Sequence, residues 1–228
     1  MDTRSTHLMY YGTIVVTIVG LFGGFCNIIT FTSSRLRKNP CAFYFLISSI
    51  FDLLSISFGL MSAFALTSLG SILHNKNLAY CKIRAYLIFS FPVISIYMVL
   101  LASIDRFLGS SISSRLRRFS QIKVAYWASI ITIIIGFLTC AHVLIGYRIT
   151  PPCGPGSDAY ALFDSIFSIF WISLAPQLFM LIFGFLTILN IRRTKNRMKA
   201  QIQSVTINPE QRHEQKTNTQ LIIVSSCI

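Results

Sequence analysis

A single carboxylate, Asp52, interrupts an otherwise apolar run of the sequence. An ionisable side chain inside a bilayer is costly, so it normally has a partner or a function. Asn27 in the preceding apolar run and Ser95 in the following one carry oxygen atoms at a compatible depth. Together the three side chains could enclose water or a hard monovalent cation. A hydrogen-bonded structural aspartate explains Asp52 equally well, and both interpretations stay open.

An acid and a base stand side by side at Asp105 and Arg106, at the end of the third apolar run. Adjacent residues on a helix do not face one another, so this pair contributes little to local helix stability. An arginine at a membrane edge can reach the interface or bind a carboxyl or carbonyl group of a neighbouring helix. We therefore expect Arg106 to be a latch between helices, although an ordinary surface pair would have the same sequence.

Two of the six cysteines are placed to form a disulfide. The predicted topology puts Cys26 and Cys140 within apolar runs, Cys41 near the inner surface and Cys227 in the last apolar run. Only Cys81 and Cys153 face the oxidising outer side, where unpaired thiols are uncommon. A bond between them would pin an outer loop over the bundle and remove loop entropy worth about 3–5 kcal/mol. Two unpaired thiols are the alternative.

Other polar and aromatic residues support weaker inferences. Pro176 removes one backbone hydrogen bond from the fifth apolar run and should bulge or kink it. Four aromatic side chains recur along that run, at Phe163, Phe167, Phe170 and Trp171. Packing or lipid contact explains this spacing better than a ligand site does. His142 is expected to be hydrogen-bonded rather than metal-bound, because no second His or Cys lies at ligand spacing.

Five long apolar runs must position these residues. The chain is 54% hydrophobic and 12% charged, about half the charged fraction of a soluble domain. The runs cover about 9–32, 41–67, 81–109, 124–146 and 160–191, each long enough to cross a hydrocarbon core of about 30 Å. A last apolar run at 221–228 predicts the start of a sixth helix, in a chain that is truncated or comes from an incomplete gene model. The predicted fold is an all-α transmembrane bundle of five full spans, forming one domain over 1–228.

Lysine and arginine set the orientation, because cytoplasmic loops carry an excess of both. With the N-terminus outside, fifteen of the twenty Lys and Arg residues lie on the inner side and five on the outer side. The net charge of +13 therefore reflects membrane topology, and a nucleic-acid partner is not needed to explain it. We expect a multi-pass protein of the lipid bilayer with an extracellular N-terminus.

Taken in order, these residues resemble a rhodopsin-like (class A) G-protein-coupled receptor. The landmarks are Asn27, Asp52, Cys81 opening the third helix, Asp105-Arg106-Phe107 closing it, Trp127, Cys153 and Pro176. Arg106 follows Cys81 by 25 positions, the interval of the family's Asp-Arg-Tyr motif. The resemblance covers essentially the whole chain, which corresponds to the first five of seven helices.

The resemblance implies roles for the inner motif and for the polar residues. Arg106 would engage a sixth helix and a heterotrimeric G protein. Asn27, Asp52 and Ser95 would line a site for an allosteric sodium ion; no other cofactor is implied. The chain stops before the family's motifs in helices six and seven, so a non-signalling receptor fragment is an alternative to a signalling receptor.

The core of the bundle follows the family pattern only in part. Ile96 and Pro176 would belong to its transmission switch. Three departures stand out: Phe107 replaces the motif's Tyr, Ser48 stands where a Leu is usual, and Gly184 stands where the fifth helix often has a Tyr.

The ligand is constrained mainly by one position. Amine receptors of the family carry an Asp seven positions after the cysteine of the third helix, and here that residue is Ile88. An amine would lack its carboxylate partner, so the resemblance implies an extracellular peptide, as for an invertebrate neuropeptide-type receptor. The expected pocket residues are Tyr86, Ile88, Phe89 and Val93 on the third helix and Phe167 and Trp171 on the fifth.

The predicted function is therefore a plasma-membrane receptor that binds an extracellular ligand and activates a G protein, without enzymatic activity. One alternative is a non-signalling, truncated receptor fragment. Another is a small transporter with Asp52 as its ion site. A transporter would be expected to have further charges within its spans or broken helices in matching halves, and the sequence indicates neither.

Overall fold

The computed structural model describes residues 3–33, 36, 39–68, 77–111, 113–149 and 153–204, and five long helices dominate them. The first helix is Thr3–Thr32, the second Pro40–Ser68 and the third Leu78–Ser110. The fourth consists of Ile122–Cys140 and His142–Gly146, and the fifth of Asp158–Phe167, a π-helical segment Ser168–Leu174 and Ala175–Ser204. The short helix Ser114–Arg117 and the strands β1 (Tyr147–Arg148) and β2 (Gly154–Pro155) lie in the connections.

All five helices are long and apolar enough to cross a membrane. The prediction of an all-α transmembrane bundle is thereby confirmed. The predicted start of a sixth helix at 221–228 lies outside the described residues.

Polar side chains mark the points where helices begin. Asn39 accepts a hydrogen bond of 3.1 Å from the backbone N–H of Cys41, and Pro40 occupies the first helical position, where no N–H is needed. The side chains of Asn77 and Ser157 accept bonds from backbone N–H groups in the first turns of the third and fifth helices. These caps satisfy donors that a helix cannot pair internally.

The fifth helix extends beyond its apolar run. That run ends near residue 191, whereas the helix ends at Ser204. The added segment is rich in Arg, Lys and Gln, which are good helix formers. The helix therefore projects its basic end past the predicted span.

The third helix lies at the centre of the bundle, packed against the second, fourth and fifth helices, while the first packs against the second. The main buried cluster consists of Cys41, Tyr44, Ile94, Met98, Ala102 and Ala125. The fourth helix lies close to the third at Gly136, where an added Cβ would lie 2.5 Å from Cγ1 of Ile94. Small residues allow this kind of close approach between membrane helices.

The outer faces of the helices are apolar. Phe22 on the first helix, Ile145 on the fourth and Leu181 on the fifth are 73%, 80% and 71% exposed. Such side chains would be unfavourable in water but match a hydrocarbon environment. Together with the length of the helices, they identify a multi-pass membrane protein.

Candidate functional site

The C-terminal end of the third helix, called its inner end after the predicted orientation, carries the predicted latch. Asp105 is buried, and its Oδ1 accepts a hydrogen bond of 2.8 Å from Ser120 Oγ, in the turn before the fourth helix. Arg106 is half-buried, and its Nε donates to Cys41 Sγ on the second helix at 2.9 Å. Acid and base therefore contact different elements, as adjacent helical residues are expected to do.

Phe107 completes this inner junction. Its ring lies beside that of Phe183 on the fifth helix, with centroids 5.6 Å apart. Successive residues of an α-helix point about 100° apart, so three consecutive residues contact three different elements. A rotation of the third helix would change all three contacts together.

A polar site connects the second and third helices. Ser48 Oγ and Ser95 Oγ lie 2.8 Å apart, and Ser48 Oγ also donates to Asp52 Oδ2 at 3.5 Å. Ser95 Oγ lies 3.3 Å from the backbone oxygen of Ser48. Asp52 itself is exposed, while both serines are buried. The structure thus brings Asp52 and Ser95 together through a third residue.

The polar site differs from the expected arrangement at two residues: Asn27 is not part of it, and Ser48 is. Asn27 lies on an exposed face of the first helix, and in the described part of the chain it makes no hydrogen bond to Asp52 or Ser95. Ser48, which looked like a departure from the family pattern, is the bridging residue. The sequence signal for this role was the spacing of four residues between Ser48 and Asp52, because residues four apart share one helix face.

The two residues predicted to form the transmission switch differ in burial. Pro176 is fully buried, and Ile96 on the third helix is half-buried. The π-helical segment Ser168–Leu174 ends two residues before Pro176. Proline lacks the N–H that would continue the α-helical pattern, which explains a bulge at this position.

An outer cavity of about 340 Å³ lies between the third and fifth helices. Its lining consists of Ile88, Phe89 and Pro92 on the third helix and Ser168, Ile169, Ile172 and Ser173 in the π-helical segment. Two of the six predicted pocket residues, Ile88 and Phe89, therefore face this cavity. None of the lining side chains is charged.

The other predicted pocket residues lie elsewhere. Val93 and Trp171 line a second cavity of about 180 Å³ among the third, fourth and fifth helices, and Tyr97 OH donates to the Trp171 carbonyl at 3.0 Å. Tyr86 faces the fourth helix, where its hydroxyl donates to a backbone carbonyl. Phe167 packs on His142, with centroids 4.7 Å apart. The six residues thus do not form a single pocket.

A disulfide-pinned hairpin covers the outer end. Cys81, at the start of the third helix, is bonded to Cys153, as the sequence predicted. Strands β1 and β2 pair antiparallel beside it, and the N–H of Gly156 donates to the Gly146 carbonyl at 2.9 Å. The hairpin is therefore tied to the third helix and to the end of the fourth.

Sequence reasoning missed a buried acid on the fifth helix. Asp164 is 8% exposed; its Oδ1 lies 3.3 Å from His142 Nε2, and its Oδ2 accepts from Tyr147 OH at 3.3 Å. Burial raises the pKa of Tyr147, and the adjacent Asp164 carboxylate raises it further. The expectation of no further charge within the spans is therefore wrong. A lone acid and a lone histidine in consecutive apolar runs were the available signal.

Part of the chain is similar to a receptor homolog. Over an aligned stretch of 126 residues, the chain is 28% identical to the neuromedin U receptor homolog nmur-2 of Caenorhabditis elegans. The match covers 53% of this chain and 31% of that protein, so the chain matches about a third of its relative's length. No protein-family model matches the chain.

Proposed function

We propose that this chain is the five-helix part of a rhodopsin-like peptide receptor of the plasma membrane. It binds an extracellular peptide between the third and fifth helices and activates a heterotrimeric G protein through its inner face. It acts by a change in helix arrangement and not by catalysis.

One observation carries this proposal: a single helix connects the outer cavity to the inner junction. The third helix has 33 residues, a length of about 50 Å. Its outer part contributes Ile88, Phe89 and Pro92 to the cavity, and its inner part carries Arg106. Pro92 leaves one helical hydrogen bond unmade at the cavity wall. A ligand that shifts the helix there changes the contacts of Arg106.

The lining of the outer cavity favours a peptide over an amine. Its uncharged wall offers a cationic amine no carboxylate partner. Apolar side chains and the hydroxyls of Ser168 and Ser173 suit the side chains and amide groups of a peptide. The similarity to a neuromedin U receptor homolog from a nematode makes neuropeptides of that type the first probes.

The charge distribution supports an extracellular N-terminus. Exposed basic residues follow the inner end of the third helix and the inner part of the fifth: Arg115, Arg117, Arg118 and Lys123, and Arg192, Arg193, Lys195 and Arg197. Cytoplasmic surfaces carry such an excess. A G protein would approach this basic face.

A sodium ion bound by oxygen atoms of Asp52, Ser48 and Ser95 would act as an allosteric modulator. The two serines meet at 2.8 Å beside the carboxylate. Carboxylate and hydroxyl oxygens are the ligands that hard cations prefer. Because the site joins the second and third helices, the ion would favour one of their arrangements.

Binding of purified heterotrimeric G proteins to the full chain in lipid nanodiscs tests the proposal. Arg106→Ala should weaken nucleotide-free binding by at least about tenfold, or 1.4 kcal/mol. Arg148→Ala is the control, because Arg148 is an exposed cation in β1, at the opposite end of the bundle, and should change affinity much less. Equal loss in both variants, or no binding of any G-protein class, would contradict the proposal. Unfolding curves establish that both variants fold.

A further inference from the structure

Three side chains from separate elements meet near the outer end of the bundle; His142, Tyr147 and Asp164 are called the outer polar cluster. His142 comes from the fourth helix, Tyr147 from β1 and Asp164 from the fifth helix. The His142 and Asp164 side chains are only 22% and 12% exposed. The cluster is distinct from both cavities and from the inner junction, and its role does not depend on the proposed function.

The hydrogen bonds of His142 determine where one proton lies. Its Nδ1 is 2.8 Å from the backbone oxygen of Thr139. A carbonyl only accepts, so Nδ1 must carry a hydrogen. Nε2 then faces Asp164 Oδ1 at 3.3 Å. A neutral imidazole of this tautomer and a carboxylate would both be acceptors, so a proton must lie between Nε2 and Oδ1.

That proton can lie on either partner: the pair is an imidazolium with a carboxylate, or an imidazole with a carboxylic acid. Both forms contain the same number of protons. Tyr147 OH donates to the other Asp164 oxygen in either case. When His142 and Asp164 are in contact, the cluster thus contains one proton more than a neutral imidazole and a carboxylate do. Without it, a buried carboxylate would face a lone pair, an arrangement that is costly in a site of low polarity.

The surroundings limit access of water and of other charges. Aromatic rings flank the imidazole: Tyr160, Phe163 and Phe167. The Tyr160 hydroxyl donates to the His142 carbonyl at 3.1 Å, and the Cys140 thiol lies close enough to interact with Asp164. The Phe89 ring of the third helix meets Tyr147 at 6.3 Å.

Three neighbouring elements carry further charged side chains. Lys82 and Arg84 are one to two turns nearer the start of the third helix than Phe89. Arg148 on β1 is exposed, and its aliphatic part lies against Gly156. Asp158 is exposed at the start of the fifth helix.

We propose that His142 and Asp164 form a proton-binding site that holds the outer ends of the fourth and fifth helices together. Loss of the proton as pH rises separates them. The state of the site is relayed to the second cavity: Phe167 packs on His142 at 4.7 Å and stacks on Trp171 at 6.3 Å. Trp171 lines that cavity.

The sign of the pH effect follows from proton linkage. In the closed state His142 contacts Asp164, and in the separated state it does not. At a pH where the separated pair has lost its proton, the closed state binds one proton more. Stability then falls as pH rises, and the unfolding equilibrium constant increases by at most about tenfold per pH unit for one proton.

Thermal unfolding of the full chain in nanodiscs, from about pH 5 to pH 8 where imidazoles change charge, tests the site. Wild type should lose stability as pH rises. Asp164→Asn should show little of this dependence, because an amide N–H can donate to neutral Nε2 without an added proton. Asp158→Asn removes an exposed carboxylate from the same helix and should match wild type. A wild type that is insensitive to pH, or an Asp164→Asn variant as sensitive as wild type, overturns the proposal.

Magnetic resonance of the wild-type chain provides a second measurement that needs no variant at Asp164. Nitrogen-15 signals of the His142 ring, assigned with His142→Gln, and the carbon-13 signal of the Asp164 carboxyl should report one proton shared by the pair. Both should shift together over one pH interval as that proton leaves. Independent titration of the two groups, or an Nδ1 without hydrogen, overturns the proposal even if Asp164→Asn fails to fold.

Discussion

Replacing Gly136 by alanine tests how closely the third and fourth helices pack. A Cβ at this position would lie 2.5 Å from Cγ1 of Ile94, which is completely buried. Carbon atoms prefer separations of about 3.5–4.0 Å. The helices must therefore separate by about 1 Å, or Ile94 must leave its preferred rotamer. Gly59 provides the matched control, because an added Cβ there meets nothing within 4 Å.

Two opposing effects set the magnitude. Alanine favours a helix over glycine by about 1 kcal/mol, and both variants gain this amount. Only Gly136→Ala overpacks the core, at a cost of about 1–3 kcal/mol. Gly59→Ala should therefore be slightly more stable than wild type. Gly136→Ala should be about 1–3 kcal/mol less stable than Gly59→Ala.

Thermal unfolding of both variants in the same nanodiscs measures this difference. One kcal/mol shifts the midpoint by about 2–4 °C in a chain of this size, so Gly136→Ala should unfold at least about 2 °C below Gly59→Ala. Adding Ile94→Ala removes the clashing atom, so the double variant should lose less than the sum of the two single losses. Equal midpoints for the two glycine variants would refute the close packing of these helices.

Three further predictions concern the outer hairpin and the polar site. Replacing Cys81 and Cys153 together by serine should cost about 4 kcal/mol, the loop entropy of a 72-residue separation; unfolding in non-reducing buffer measures it, and an unchanged midpoint would contradict it. Exchanging sodium for choline should lower the thermal unfolding midpoint of wild type but not that of Ser48→Ala. Equal shifts in the two proteins would show that Ser48 does not bind the ion. Because burial and Asp164 raise the pKa of Tyr147, the folded chain keeps this proton to a higher pH than the unfolded chain. Stability should therefore fall above about pH 10, less steeply in Tyr147→Phe; identical slopes in an alkaline unfolding series would exclude this contribution.

The bundle and its disulfide could be predicted because they depend on long-range composition. An apolar run of about twenty residues has few alternatives to a membrane helix. Once the runs and the lysine and arginine bias are known, Cys81 and Cys153 are the cysteines left on the outer side. Neither inference requires knowing how any helix is rotated.

Contacts between helices do depend on rotation, and these were predicted less well. Residues four apart share a face, yet nothing in a sequence tells which face meets the neighbouring helix. Ser48 was therefore noted only as a departure, although it bridges Asp52 and Ser95. Asp164 and His142 lie on different helices, and their pairing depends on how both are turned. The predicted pocket residues lie in several places for the same reason, because their positions depend on how each helix is rotated.

The π-helical segment Ser168–Leu174 divides the fifth helix into two halves, and each half can be rotated differently about the helix axis. A π-helical turn corresponds to one residue inserted into an α-helix. This insertion rotates the residues before the segment, the upper half, by about 100° relative to those after it, the lower half. Asp164 can thereby face the fourth helix while Phe183 faces the third. Removing one residue from this segment would turn the upper half away from His142 and leave the lower half in place. The outer and inner surfaces of this helix can therefore diverge in evolution separately, each without altering the contacts of the other.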